Sequence, residues 1–195
     1  IKIKYITEPA LTPADIKRDY IDVVYNDIIF DNKIYGLPLG INTLVMYYNR
    51  DLLNQAGLAV PPRMWNDFTT AVSSMSIIDN QTNAIVRSGA AIGTAENVTH
   101  ANDIVALLMM QNGAGMTAGN SVTFHLPSAS DLSYYPGEQA LRFYTDFSSP
   151  EKSVFTWDQN QPPDMEAFAD GEVVFYFGYP YEEPDIKRLA GGLEI

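Results

Sequence analysis

The sequence predicts an α/β lobe with a small central sheet flanked by helices, and three observations predict it. Two apolar runs, LVMYY at 44–48 and VVFYFG at 173–178, have the length and the β-branched and aromatic content of buried strands. The intervening segments instead space their apolar residues by three and four and end on capping residues or glycines. Strands alternating with helices build a sheet covered by helices, and 195 residues suffice for one such core.

In chain order, Thr12-Pro13-Ala14-Asp15 offers a capping oxygen, a first-turn proline and an early acid ahead of Ile16, Tyr20, Val23, Val24 and Ile28, which predicts a helix over about 13–29. DNKIYGLPLG at 31–40 carries a turn dipeptide and a proline, so it reads as an extended crossing segment. After the strand at 44–48, Asn49 caps a short helix, RDLLNQA, that Gly57 ends in the left-handed conformation. Beyond Pro61-Pro62, Trp65, Phe68, Val72 and Met75 mark an amphipathic helix.

AAIG at 90–93 reads as a short strand, and ENVTHANDIVALLMMQNG as a helix with Val98, Ala101, Ile104, Val105 and Leu108 on one face. Residues 114–136 lack periodicity and read as a surface loop before a helix at 138–147. DMEAFAD is a compact helix running into Gly171, and PYEEPDIKRLAGG follows the second strand as a turn entering a helix that ends at Gly191.

Composition excludes several functions. Twenty-four acids against 12 bases leave a formal charge of −12, which repels nucleic acid and other polyanions. Without cysteine there is no disulfide framework, thiolate metal site or Cys nucleophile, and His100 and His125 are too far apart for a His-based metal motif. No cofactor and no metal are expected. No apolar run reaches the ~18 residues of a membrane span, and IKIKYITEP is not a signal peptide, so this stretch is expected not to insert into a membrane. Twelve Tyr, nine Phe and two Trp in an acidic chain suit a neutral, hydroxyl-rich ligand better than an anion.

YGLPLGINTLVMYYNRDLLNQAGLAVPPRMW resembles the crossing-strand region of the sugar-type ABC solute-binding proteins, the maltose-binding-protein-like family. SGAAIGTAENV, DIVALLMMQNG, GEQALRFYTDFSSP and MEAFADGEVVFYFGYPY follow in the family's order, so the resemblance covers residues 30 to 190. Met64 stands where the family usually has a threonine, which removes a helix-capping oxygen. The resemblance implies a two-lobed periplasmic-binding-protein (type II) fold of which this chain is mainly the second lobe. Residues 1–38 would be the remnant of the first lobe, its opening strand and the first crossing, 39–182 the second lobe, and 183–195 a helix leading to the return crossing. It further implies no catalysis, a sugar ligand in an interlobe cleft, delivery to the membrane permease subunits of an ABC importer, and a periplasmic or extracellular location compatible with a lipid anchor.

The residues implied to line the cleft are Asn42, Thr43, Gly93, Thr94, Glu96, Asn97, Trp157, Gly178, Tyr179 and Tyr181. Asn42 and Thr43 follow the crossing, where the alternative is a strand-end hydrogen bond. Gly93 to Asn97 lie between a strand and a helix whose free N–H groups would face a ligand, and Thr94 is alternatively that helix's cap. Tyr179 and Tyr181 bracket a proline after the second strand, at the family's aromatic contact. Trp157 sits in a Pro-rich loop, where it either stacks on ligand or packs. Trp65, Phe68, Met109, Met110, Phe143 and Phe168 stand on helix faces as core, while His100 and His125 read as solvated or capped side chains. The competing classes are a glycoside hydrolase and a non-catalytic carbohydrate-binding or interaction module. Glu138, Asp146, Glu166 and Glu172 fall on helices and helix ends rather than on successive barrel strands, which argues against the hydrolase.

Overall fold

A computed structural model describes residues 11–191. The opening strand expected before residue 11 lies outside the described residues. The chain forms two compact units, one ending at Asn42 and the other beginning at Thr43.

In the first unit, Thr12 caps α1 (Pro13–Asp19) in a reciprocal box with Asp15, three residues on. The single helix expected over 13–29 is two, because Tyr20 and Ile21 are extended and α2 (Asp22–Ile28) starts afresh. Only Ile16 and Val24 of these helices are buried, and a helix without a packed face gains little from propagating. Asp31 and Asn32, both at positive φ, then close a two-residue hairpin between β1 (Ile29–Phe30) and β2 (Lys33–Ile34). The segment at 31–40 is therefore a hairpin turn and strand before it becomes extended chain.

The second unit is built on a four-stranded sheet. Its strands are β3 (Val45–Tyr48), β4 (Ile77–Ile78), β5 (Ile85–Ala90) and β8 (Val173–Gly178), in the order β3-β8-β5-β4. The two strands foreseen from their apolar runs are direct neighbours, antiparallel, with Met46 opposite Phe177 and Tyr48 opposite Phe175. β8 is buried along its whole length because β5 flanks it in parallel on the other side. β3 is an edge strand and only half-buried, which corrects the expectation of full burial. The strand expected at AAIG lies earlier: pairing ends at Ala90, and residues 91–93 are buried by packing beyond the strand end.

Helices cover this sheet. Asn49 caps α3 (Arg50–Gln55), and α4 (Trp65–Met75) buries Phe68, Val72 and Met75 with no side-chain cap from Met64. α5 (Ala101–Gln111) begins later than its apolar pattern, and α6 (Pro136–Asp146) packs along it. Between them the expected loop holds a small exposed hairpin, β6 (Thr117–Ala118) with β7 (Ser121–Val122). α7 (Asp164–Ala169) leads into β8, and a single 3-10 turn (Pro180–Glu182) leads from it into α8 (Glu183–Leu189).

Phe68 sits at the centre of an aromatic core, with ring centroids 5.4 Å from Phe175, 5.6 Å from Phe177 and 5.8 Å from Phe147. Phe168 is fully buried, as expected, but Trp65, Met109 and Phe143 are half-buried and Met110 is exposed. Buried polar groups are paired. The Thr156 hydroxyl accepts from the Gly89 amide at 2.7 Å and from Ser76 Oγ at 2.7 Å, latching the 155–163 loop onto β5. Among the described residues no helix is long and apolar enough to cross a membrane.

Candidate functional site

The C-terminal end of β8 brings polar and aromatic side chains together. Past Gly178 the chain turns through Tyr179-Pro180-Tyr181-Glu182, and the two tyrosine rings lie stacked, 5.5 Å apart and 12° from parallel. Tyr181 is 57% exposed and Tyr179 half-buried, so the pair presents one open ring face. The turn is fixed by Glu182, which folds back beneath it. The residue is 6% exposed, and its carboxylate accepts from the Tyr179 amide at 2.6 Å and the Tyr176 hydroxyl at 3.2 Å. It also meets His100 Nε2 at 2.8 Å.

His100 stands at the start of α5. It is 9% exposed, its Nδ1 lies 3.5 Å from Asp103 Oδ2, and its ring packs edge-on against Tyr179 at 4.9 Å. That corrects the reading of His100 as a solvated or capped side chain: it is buried and bonded to Glu182. Asp103, one turn into α5, accepts from the Tyr179 hydroxyl at 3.1 Å. From β3, the Tyr47 hydroxyl donates to the Tyr179 carbonyl at 2.9 Å. Tyr179 is thus held at its amide, carbonyl, hydroxyl and ring.

The electrostatics are acidic. Burial, then the hydrogen bond and charge of Asp103, push the Tyr179 hydroxyl above its ordinary pKa. Burial, then the charges of Glu183 and Glu182, raise Tyr47 likewise. Such a surface disfavours an added anion.

The 93–97 loop does something different. Gly93 is buried at φ +114°, and a Cβ there would come within 2.8 Å of the Ser148 amide, so its role is close packing. Thr94 does not cap α5, which starts seven residues later; its hydroxyl bonds Asn97 and its carbonyl accepts from Tyr144. Asn97 donates to the Asp158 and Gln161 carbonyls, each at 2.9 Å, and accepts from Thr94 and from Trp157 Nε1 at 3.0 Å. Both amide donors and the oxygen's two lone pairs are therefore used within the fold.

Trp157 is the clearest correction. It is 0% exposed, so neither ring face can meet a ligand, and the Pro-rich loop closes over it as core. Beside it Asp164 is buried while accepting from the Thr99 amide and hydroxyl; burial pushes its carboxyl above the usual range against those bonds. Glu96, Asn42 and Thr43 are exposed, Asn42 closing the first unit and Thr43 opening the second.

Of the residues nominated from sequence, the structure joins Gly178, Tyr179 and Tyr181 in one turn and ties Thr94, Asn97 and Trp157 into a separate knot. Sequence reasoning missed Glu182, His100, Asp103 and Tyr47. An acid three residues after a turn-opening tyrosine is the one local signal that could have flagged Glu182.

A cavity lies elsewhere. A groove of about 710 Å³ lies between α4, α5 and α6, lined by Trp65, Gln111, Arg142 and Phe143 among others. It sits at the far end of α5 from His100, most of a helix of about 16 Å away. Trp65 there is packed edge-on against Phe68 and Phe143, and its Nε1 donates to Gln111 at 2.7 Å. Its ring is thus already committed, whereas Tyr181 keeps an open face, and for that reason the end of β8 is the better candidate.

Comparison with known proteins follows the same direction. The sequence profile of the family described as "Bacterial extracellular solute-binding protein" matches residues 3–194. The galactooligosaccharide-binding protein of Bacillus subtilis is 32% identical over 68 residues, 33% of this chain and 16% of that protein. An ABC transporter solute-binding protein of Thermotoga lettingae, solved with α-D-tagatose, superimposes with a TM-score of 0.62 at 21% identity, over 84% of this chain and 40% of its own. A Mycobacterium tuberculosis protein in complex with glycerophosphocholine gives 0.64 at 18%, over 89% of this chain and 40% of its own. At these identities the structural matches show the shared fold, that of two-lobed binding proteins of which this chain covers a part.

Proposed function

The chain belongs to the bacterial extracellular solute-binding proteins, and from that premise we propose that it forms part of a receptor that holds a sugar or oligosaccharide and hands it to the permease subunits of an ABC importer. The observation that carries this reading is the Tyr179–Tyr181 stack at the end of β8, with Tyr181 exposed and the Asp103 carboxylate on the Tyr179 hydroxyl. A pyranose has apolar C–H faces and a hydroxyl rim, so it needs an aromatic surface and hydrogen-bond acceptors side by side. The surrounding carboxylates disfavour the phosphate of a glycerophosphodiester and accept readily from neutral hydroxyls.

In this reading Tyr181 is the stacking face, Tyr179 its backing, and Asp103 an acceptor for ligand hydroxyls. Asn42, Thr43 and Glu96, all exposed, add polar contacts to the ligand in this reading. Residues 1–38 are what remains of a first lobe, 39–182 the second lobe, and 183–195 the approach to the return crossing. Ligand closes the two lobes around itself, and the closed form is what the importer distinguishes from the open one. The site is periplasmic or extracellular, compatible with a lipid anchor on the whole protein, and no bond is broken in it.

Because this chain spans 40% of the length of those two solved structures, much of the opposing surface is absent from it. If about half of a micromolar binding free energy of ~8 kcal/mol is lost with that surface, the affinity falls to about millimolar. A calorimetric screen of galactooligosaccharides, maltose, tagatose and glycerophosphocholine is expected to rank a neutral sugar first at about that affinity. Tighter binding of glycerophosphocholine, or turnover of an aryl glycoside, would contradict the reading.

A further inference from the structure

Glu182 spends a buried carboxylate on a three-residue turn, which is a costly way to stabilise a loop unless the loop's geometry matters. The acid is reached by three donors from three places: the amide of Tyr179 at 2.6 Å, the hydroxyl of Tyr176 on β8 at 3.2 Å, and His100 Nε2 before α5 at 2.8 Å. Gly178 clears its path. A Cβ at that position would collide with the Glu182 carboxylate and come within 2.6 Å of the Tyr176 ring. None of these groups has an open surface for a ligand, yet every bond ends on the segment that carries the tyrosine stack.

We propose that Glu182, braced by His100, is a positioning residue that sets the angle of the Tyr179–Tyr181 platform and so the ring geometry of the solute it accepts. The carboxylate ties the Tyr179 amide down while the His100 ring supports that tyrosine's side chain edge-on at 4.9 Å. Asp103 completes the brace from α5 by holding the Tyr179 hydroxyl at 3.1 Å. Loss of Glu182 releases the turn without removing either ring. The consequence for solute selection rests on the function proposed above; the consequence for the turn does not.

The test is amide hydrogen exchange on this chain without sugar, read by NMR, for Glu182→Ala, Glu182→Gln and His100→Ala. Losing a hydrogen bond to a charged acceptor is expected to accelerate exchange of the Tyr179 amide about 10- to 100-fold in Glu182→Ala. The amides of Phe175 and Phe177 in β8 should keep their protection, and the near-UV tyrosine circular dichroism should change with the released stack. Glu182→Gln retains an acceptor for the Tyr179 amide and is expected to restore exchange to within about threefold of the parent. Should Glu182→Ala unfold the chain, His100→Ala decides, with a Tyr179 acceleration of roughly 3- to 10-fold against a protected β8. Native-like Tyr179 exchange in both Glu182→Ala and His100→Ala overturns the proposal, and so does acceleration spread evenly through β8 in both of them, which would mark a purely structural role. Galactotriose is then titrated into parent and variants. A parent that binds neither galactotriose nor any sugar of the calorimetric screen contradicts the proposed function and leaves the exchange result standing, whereas unchanged sugar affinity in a variant with a released turn overturns the selective role alone.

Discussion

Tyr181→Ala is expected to abolish saturable sugar binding by this chain while leaving its unfolding midpoint unchanged. The ring is 57% exposed and belongs to no buried cluster, so its removal opens no cavity. What it loses is contact with ligand. Half of an aromatic ring's area, about 100 Å², covered at ~25 cal/mol per Å², amounts to about 2 to 3 kcal/mol, or roughly 30- to 150-fold in affinity. Starting from about millimolar, that moves binding beyond reach of titration. Tyr181→Trp keeps a ring and should retain measurable affinity. Equal affinity of Tyr181→Ala and the parent, measured by calorimetry, would remove Tyr181 from the site.

Trp157→Ala is expected to have the opposite profile, a large loss of stability. The indole is 0% exposed, and its Nε1 anchors Asn97, whose own amide holds the carbonyls of Asp158 and Gln161. Truncating a buried aromatic costs about 3 to 5 kcal/mol, a large share of the ~5 to 15 kcal/mol that stabilises an ordinary domain. A chain of this size should then melt about 6 to 20 °C lower. Thermal unfolding followed by far-UV circular dichroism measures it. A shift under about 3 °C would mean that the loop around Trp157 opens in solution and that a ring face is available after all.

The contrast between these residues also shows what could be read from sequence. β8 was legible because VVFYFG is apolar on both faces, which only a strand covered on both sides tolerates. The caps at Thr12 and Asn49 and the left-handed Gly57 were legible because their chemistry is local. β5 was displaced in the reading since IVRSGA contains Arg87 and Ser88, and the partners that satisfy them, the carbonyls of Met75 and Thr156, are 12 and 68 residues away. The break at Tyr20 and the half-burial of β3 depend on what packs against those elements, which no local pattern encodes.

The candidate site divides in the same way. Tyr179 and Tyr181 stood out as aromatics bracketing a proline after a buried strand, a short-range pattern. The groups that hold them did not, because Glu182 meets His100 across 82 residues and the Tyr47 hydroxyl reaches the Tyr179 carbonyl across 132. Trp157 misled for the complementary reason. Its loop looks exposed by composition, but Asn97, 60 residues earlier, draws the indole inward.

The central claim is that sugar meets this chain at the end of β8 rather than in the groove beside Trp65, and NMR shift mapping during a galactotriose titration tests it most directly, since it detects millimolar binding and assigns it to residues. The account predicts that the amides of Gly178, Tyr179 and Tyr181 and the signals of Asp103 move together along one saturating curve, while Gln111, Arg142 and Phe143 stay in place. Saturating shifts at Gln111, Arg142 and Phe143 with Tyr179 and Tyr181 unmoved would contradict it.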